Sequence, residues 1–365
     1  MIQLPLHAQH EAHGAKFGEF AGYAMPLYYT KPLDEHHQVR QGVGVFDITH
    51  MGQFLVEGDR AEEFLDYALP NAVRDMVAGD ALYSPLCKED GGILDDLIIY
   101  RYTPAHYRII VNASNREQDF QWLNTIAGKF DVVMKDLSEG LCLFAVQGPQ
   151  AFERLRPHLG QPAESLGYYK FTDTQAFGHD VFMARTGYTG EQGIEMAVSR
   201  DVASEIWEQL TGSLKIQPIG LAARDTLRLE ACMALYGHEL RAEWNPFESG
   251  VGWAVKLDKA GDFVGKDALT KIKADGNKYL LAGVEVTGRG IPREGYPVLA
   301  EGRQVGLVTS GAMSPTVGKS LAMAHVEAAW AKKGTALEVE IRGKAVEAQV
   351  VARPFYKNPH LRDQT

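Results

Sequence analysis

The alternation of apolar and polar positions is most regular between residues 53 and 135. QFLVEG alternates and reads as a strand. RAEEFLDYAL puts Ala61, Phe64, Leu65 and Leu69 on one helical face, with Asp59 as the expected cap and Glu62 as its capping-box partner. ALYSPLC, ILDDLIIYRY and HYRIIVNAS are predicted strands, the first two joined through KEDGG, whose Asp-Gly favours a hairpin turn. A further helix is expected to open at Ser114 with Glu117 in the reciprocal position, carry DFQWL and stop at Gly128, before FDVVMKDL returns as a strand. This is the succession of a ferredoxin-like unit with an added hairpin strand.

A second cycle begins at CLFAV, where Gly148-Pro149 is expected to open a helix, and it matches the first in pattern only. VFMART and GIEMAVS flank the turn GYTGEQ, and ASEIWEQL and AARDTLRLEACMAL follow as predicted amphipathic helices. On the latter, Leu227, Glu230 and Met233 lie near one another, and Arg224 and Arg228 share a face. From about Tyr279 the chain turns into short alternating strands broken by Gly and Pro, which predicts a small β barrel or sandwich. There is no low-complexity segment and no close internal repeat.

A chain of 365 residues suits roughly two or three domains and can bury a core without disulfides or metal. Lys plus Arg number 37 against 47 Asp plus Glu; the net charge of −10 and the lack of a basic block make duplex nucleic acid a poor partner. No run approaches the roughly 18 apolar residues of a membrane span, and MIQLPLHAQHEAHG has neither a basic start nor an apolar stretch. The cytoplasm is therefore the expected location, or the mitochondrial matrix if a transit peptide has been removed. Cys87, Cys142 and Cys232 lie far apart and read as buried thiols in a reducing compartment, with no zinc or iron–sulfur site.

No P-loop, Rossmann fingerprint, metalloprotease helix or nucleophile elbow occurs. Adjacent His36 and His37 diverge on a helix by roughly 100° and are read as solvated or capping residues rather than metal ligands. GGILDDLIIY is sharper: alternation turns Asp95 and Asp96 to opposite faces, so a pocket receives one acid and not a dyad. Asp96 shares its face with Ile98 and Tyr100, walls that perturb a carboxyl and suit proton handling; the alternative is an edge-strand acid that blocks aggregation. In GYTGEQGIE, Glu195 falls in the strand beyond the turn, where a carboxylate calls for a ligand's donors or an arginine, although a plain hairpin is the alternative. Arg224, Asp225 and Arg228 equally fit a structural salt-bridge helix.

Together, GAKFGEFAGYAMPLYY, FDITHMGQF, GGILDDLIIY, VNASNREQD, ARTGYTGEQGIE, GLAARDTLRLEA, TSGAMSPTVGKSLAMA and RPFYKN resemble, in order and over almost the whole chain, the T-protein (aminomethyltransferase) family of the glycine cleavage system. The resemblance implies an α+β cloverleaf: a discontinuous domain of residues 1–52 and 136–278 contributing folate contacts, a ferredoxin-like domain of 53–135 carrying the catalytic acid, and a C-terminal β-barrel domain of 279–365, around a central tetrahydrofolate site. It implies transfer of the methylene of an aminomethyl group from the lipoyl arm of H-protein to tetrahydrofolate, giving 5,10-methylenetetrahydrofolate, ammonia and dihydrolipoyl H-protein, by a protein expected to be monomeric. Asp96 matches the family's catalytic acid and Glu195 its pterin-binding acid; Met51, Tyr83, Tyr100, Asn112, Tyr188, Arg228 and Tyr236 fall on positions lining the ligand.

The sequence departs from the usual pattern at Tyr23 (often Trp), Thr49 (often Ser), Ala72 (usually Asp), Ala222 and Cys232 (both commonly Gly). Ala72 raises the question of what the usual acid does near the ligand, and Cys232 is a bulkier side chain on a helix expected to pack tightly. Two rivals stay open: a folate-dependent demethylase of the same fold acting on a small free methylated substrate, and a folate-binding iron–sulfur assembly factor. The latter branch carries a Lys-Gly-Cys-Tyr string that is absent here.

Overall fold

The computed structural model describes residues 1–358. The chain starts with a small sheet, β1 (Ile2–Gln3), β2 (Lys16–Phe20) and β3 (Tyr23–Tyr28), with α1 (His7–Ala12) between the first two strands. Helix α2 (Pro32–Gln41), with Pro32 in its first turn, then leads into β4 (Gly44–Asp47). His36 on α2 is fully buried, bonded to the hydroxyls of Thr226 and Thr316 and 3.3 Å from Glu230, so the solvated role expected for it gives way to a packed one.

The first α/β unit consists of β5 (Gly52–Glu57), α3 (Ala61–Ala68), β6 (Ala81–Cys87), β7 (Ile93–Thr103), β8 (His106–Val111), α4 (Arg116–Ala127) and β9 (Val133–Asp136). Its sheet runs β6-β7-β8-β5-β9, a ferredoxin-like order with β6 as the extra edge strand. Phe54, Phe64, Leu65, Ile99, Ile109 and Leu123 close its core. Neither expected capping box forms. At α3 the free N–H groups of Ala61 and Glu62 are taken by the carbonyls of Gly58 and Pro104, leaving Asp59 nothing to cap. At α4 a short 3-10 turn, Ala113–Asn115, absorbs Ser114, and the Asn115 side chain is drawn to Asp95 instead of the helix.

The second unit repeats the plan with β10 (Leu141–Gln147), α5 (Ala151–Leu155), β11 (Phe171–Ala176), β12 (His179–Ala184), β13 (Gly193–Ser199), α6 (Arg200–Glu208) and β14 (Gln217–Pro218). Its sheet runs β11-β12-β13-β10-β4-β14, the first unit's order with β4 inserted before the last strand. Helix α5 begins two residues later than Pro149 suggests, with Gln150 as its cap. The next helix, α7 (Leu221–Glu230), ends before Cys232, whose φ of 54° lies in the left-handed region; Met233 is thus outside the helix on which the apolar pattern puts it. The Gly common at this position adopts that conformation without strain.

Helix α8 (Lys266–Asp275) precedes six strands, β15 (Tyr279–Val286), β16 (Pro297–Ala300), β17 (Arg303–Met313), β18 (Ser320–Glu327), β19 (Ala336–Ile341) and β20 (Lys344–Val351), which close as the barrel β15-β18-β17-β16-β19-β20. Val284, Val298, Val308, Ala324, Val339 and Val350 fill it. Residues 359–365, the end of the stretch assigned to the barrel domain, lie outside the described residues. All three cysteines are free thiols; Cys87 and Cys142 are buried as expected, whereas Cys232, at the turn after α7, is half-buried. Among the described residues no helix is long and apolar enough to cross a membrane.

Candidate active site

The two α/β sheets and α7 enclose a cavity of about 300 Å³. Apolar floor comes from Phe46, Ile48, Ile98, Ile110, Leu143 and Ala145. Into this cavity β7 sends Asp96 and β13 sends Glu195, so the two acids arrive from different sheets. Met51, Tyr83, Asn112 and Tyr188 line it as well.

Alternation along β7 turns Asp95 away from the cavity, into full burial, while Asp96 stays half-buried on the cavity side. The two are nevertheless not independent. Asn112, at the end of β8, donates from Nδ2 to Oδ1 of Asp95 at 2.8 Å and to Oδ1 of Asp96 at 2.7 Å, and its backbone N–H reaches Oδ2 of Asp95 at 3.1 Å. Asn115 Nδ2 adds a further bond to Asp95 Oδ1 at 2.8 Å. Burial and then the charge of Asp95 push the Asp96 carboxyl up to about 7, against the hydrogen bonds of Asn112 and Tyr83. An acid poised there can give or take a proton near neutrality.

Glu195 stands on β13 opposite Ala145 of β10 and Ala184 of β12. Two alanines as cross-strand neighbours leave open space on both sides of its carboxylate. Oε2 accepts from the Thr186 hydroxyl at 2.6 Å, and Oε1 has no hydrogen-bond partner among the described residues. Burial raises its proton affinity, offset by the Thr186 bond and the Arg224 charge. The turn before β13 needs its glycines: a Cβ on Gly187 would stand 2.1 Å from Gln147 Oε1, and Gly190 has φ of 77°. Arg40 holds this turn from α2, bonding Glu191 at 2.9 Å and the Thr189 carbonyl at 2.7 Å while also pairing with Glu230.

Three residues that the resemblance places at the ligand do not line this cavity. Tyr100 is fully buried behind the cavity wall, edge-on to Phe171 and Phe182, because β7 carries it past the opening into the space between the sheets. Arg228 is 1% exposed and bolts α7 to the barrel: it donates to Asp225 at 2.9 Å, Glu239 at 2.8 Å and the Ser310 hydroxyl at 2.7 Å. Tyr236 lines a narrow side chamber that shares Met51, Asn112 and Arg224 with the main cavity.

The arginine on the wall is instead Arg224, one turn earlier on the same helix face, with its guanidinium 5.2 Å from the Tyr188 ring centre and 3.2 Å from His50 Nε2. Helical spacing identified the pair but not which member faces inward. Trp253, 62% exposed and stacked on Tyr83 at 5.4 Å, and Tyr169 also line the cavity; no sequence signal singled them out. Thr49 keeps the hydroxyl of the more usual Ser and uses it to accept from the Leu143 N–H at 3.1 Å. Ala72 is not among the lining residues, whereas Cys232 is. Among the described residues no group of three or more His, Cys, Asp or Glu is arranged to hold a metal ion.

A largely apolar cavity with aromatic walls and two half-buried acids from separate sheets is the place in this fold best furnished for an enzyme's chemistry. Family models match residues 6–259 as the GCVT N-terminal domain and 280–357 as the glycine cleavage T-protein C-terminal barrel domain. The chain is 43% identical over 366 residues to an aminomethyltransferase of Thermotoga neapolitana, covering 100% of both chains, and 45% identical over 359 residues to one of Saccharopolyspora erythraea, covering 97% of this chain and 98% of the other. The crystal structure of glycine cleavage system aminomethyltransferase T from Bartonella henselae superposes with a TM-score of 0.92 at 38% identity, over 97% of this chain and 98% of that one. The chain belongs to the glycine cleavage T-protein family and, with it, to the aminomethyltransferases, enzymes that pass on a one-carbon group.

Proposed function

We propose that this enzyme seats tetrahydrofolate in the cavity between the two sheets and transfers to it the methylene of an aminomethyl group borne on the lipoyl arm of H-protein. The bonds balance. Folate N5 and N10 each form a bond to the carbon, the carbon–sulfur and carbon–nitrogen bonds break, and the two folate N–H protons end on ammonia and on the dihydrolipoyl thiol. The products are 5,10-methylenetetrahydrofolate, ammonia and dihydrolipoyl H-protein.

The observation that carries this reading is the pair of acids facing one apolar cavity from separate sheets. Glu195, with Oε1 unpartnered among the described residues, matches the adjacent N–H donors of a pterin edge. Asp96, near its midpoint at neutral pH, orients the folate amine and stabilises the positive charge that grows as nitrogen attacks carbon. Met51, Tyr83 and Tyr188 supply flat apolar contact, and Asn112 holds the Asp96 carboxylate in place. Tyr100, Arg228 and Tyr236 act at one remove, packing the wall, the helix and the side chamber. The domain division follows the same logic, with 1–52 and 136–278 holding the pterin acid, 53–135 the catalytic acid and 279–365 the barrel. The working unit is a cytoplasmic monomer that meets its carrier by diffusion.

The test is ammonia release from aminomethylated H-protein by the purified enzyme. Release should require tetrahydrofolate and the lipoylated carrier together, and should slow as salt screens the encounter. Folate-dependent turnover of a free methylated amine or sulfonium without H-protein would move the assignment to a demethylase. Saturating folate that leaves the thermal midpoint unchanged would remove the folate site itself.

A further inference from the structure

Helix α4 brings a third acid to the back of β7. Asp119 lies on the inward face with Leu123 and Ile126, is fully buried, and neither of its carboxyl oxygens meets an N–H or hydroxyl donor. Its carboxyl lies beside that of Asp95. Asp95 already accepts from Asn112 and Asn115 through its other contacts, so it is the member furnished to carry charge. The charged groups acting on Asp119 are Asp95 and Asp96 from β7, and Tyr236 feels the charge of all three acids and of Glu243. No Lys, Arg or His among the described residues pairs with any of the three acids. Three ionised carboxylates cannot share one buried site without a cation, so at least one proton must stay.

We propose that Asp119 is a positioning residue for the transfer reaction: it keeps a proton at neutral pH, donates that O–H to the Asp95 carboxylate, and so holds Asp95 and the bridging Asn112 in the arrangement that presents Asp96 to the cavity. Asp95 is then not a bystander on the far side of the strand but the link between a neutral acid and the reacting one. The chain of contacts runs Asp119 to Asp95, Asp95 to Asn112 at 2.8 Å, and Asn112 to Asp96 at 2.7 Å. Burial and the two neighbouring charges push Asp119 up to about 11, in the same direction as the geometry. Three raised acids, none paired with a Lys, Arg or His among the described residues, also account for an acid near neutrality at this site.

The proposal rests on Asp96 being the reacting acid, and its first test does not involve the reaction. Infrared spectra of the enzyme alone, without folate or H-protein, should show a protonated-carboxyl C=O stretch at roughly pH 9, where Asp96, whose proton is lost as pH rises through about 7, no longer contributes. That band should vanish in Asp119→Asn and survive in Asp96→Asn. A band unaffected by Asp119→Asn would overturn the proposal whether or not the enzyme is an aminomethyltransferase.

The second test reads the pH profile of kcat/KM. Asp119→Asn replaces one neutral donor by another, so turnover should stay within about threefold of the parent and the acid limb should stay in place. Asp119→Leu removes the donor, leaves the Asp95–Asp96 pair with a greater hold on a proton, and should move the acid limb upward by about one pH unit while lowering turnover at neutral pH roughly tenfold. Were Asp119 ionised, Asp119→Asn would delete a charge and shift the limb downward; that result, or equal losses in the two folded variants, would sink the idea.

Discussion

The sheets β6-β7-β8-β5-β9 and β11-β12-β13-β10-β4-β14 follow one plan, yet the acid each gives to the cavity has different company. Asp96 stands among acids: Asp95 beside it and Asp119 behind, with amides and a phenol as its donors. Glu195 stands between two alanines, with the Thr186 hydroxyl on one oxygen and Arg224 nearby. Burial, and then the like charge of Asp95, raises proton affinity and makes Asp96 an acid that can exchange a proton. Burial raises the proton affinity of Glu195 as well, but the Thr186 bond and the Arg224 charge oppose it, and its open oxygen makes it an acceptor for a ligand's donors. Topology decides where a carboxylate can stand, and its neighbours decide what it does there.

The contrast breaks most visibly on the proton-handling side. Asp96→Asn keeps size and some hydrogen bonding while losing the charge, so turnover should fall about a hundredfold, ~2.7 kcal/mol in barrier, with folate affinity by calorimetry little changed. An equal loss in affinity and turnover would erase the distinction between the two acids. Asp95→Asn cannot serve as an inert control, because it disturbs the bonds to Asn112, which also holds Asp96.

On the recognition side, Glu195→Ala should weaken folate binding by ~1–3 kcal/mol through unpaired donors. Turnover at saturating folate should suffer less than in Asp96→Asn. Binding as tight as the parent's would make Glu195 structural.

The company each acid keeps should also show in stability against pH. Asp96 binds its proton more tightly folded, near 7, than unfolded, near 3.8. Its stabilising proton uptake is therefore complete below the unfolded value and is lost as pH rises through about 7. Asp96→Asn removes that loss, so relative to the parent it should be more stable at pH 8 than at pH 5 by ~1–2 kcal/mol in urea melts. A variant that tracks the parent across this range would mean that Asp96 keeps an ordinary proton affinity.

Cys232 bears on the wall the two sides share, since it lines the cavity from just beyond α7 with φ of 54°. Cys232→Gly relieves the left-handed strain but forfeits contact with Leu229, Leu281 and Phe355. A net gain of ~0.5 kcal/mol is expected, with folate affinity unchanged. A destabilised Cys232→Gly would show that packing outweighs the backbone at this turn.

Much of this was legible in the chain itself. Alternation in QFLVEG and ILDDLIIYRY, the helical face of Ala61, Phe64 and Leu65, and the change to short strands near Tyr279 all report local periodicity, which a linear sequence carries directly. The same periodicity put Asp95 and Asp96 on opposite faces. The ordered motifs supplied the family. Tertiary structure decided what depends on partners distant in sequence. Helix starts took their hydrogen bonds from Gly58 and Pro104 rather than from the local caps Asp59 and Glu62. The two units share a strand order that their sequences do not display, because a sheet constrains burial and hydrogen bonding more than residue identity. Arg224 and not Arg228 faces the cavity because Glu239 and Ser310 of neighbouring elements claim the latter. Asp119 meets Asp95 only because α4 and β7 fold into one core, so the state of that buried acid is a property of the fold: spacing along the chain cannot say which charges will be shut in together.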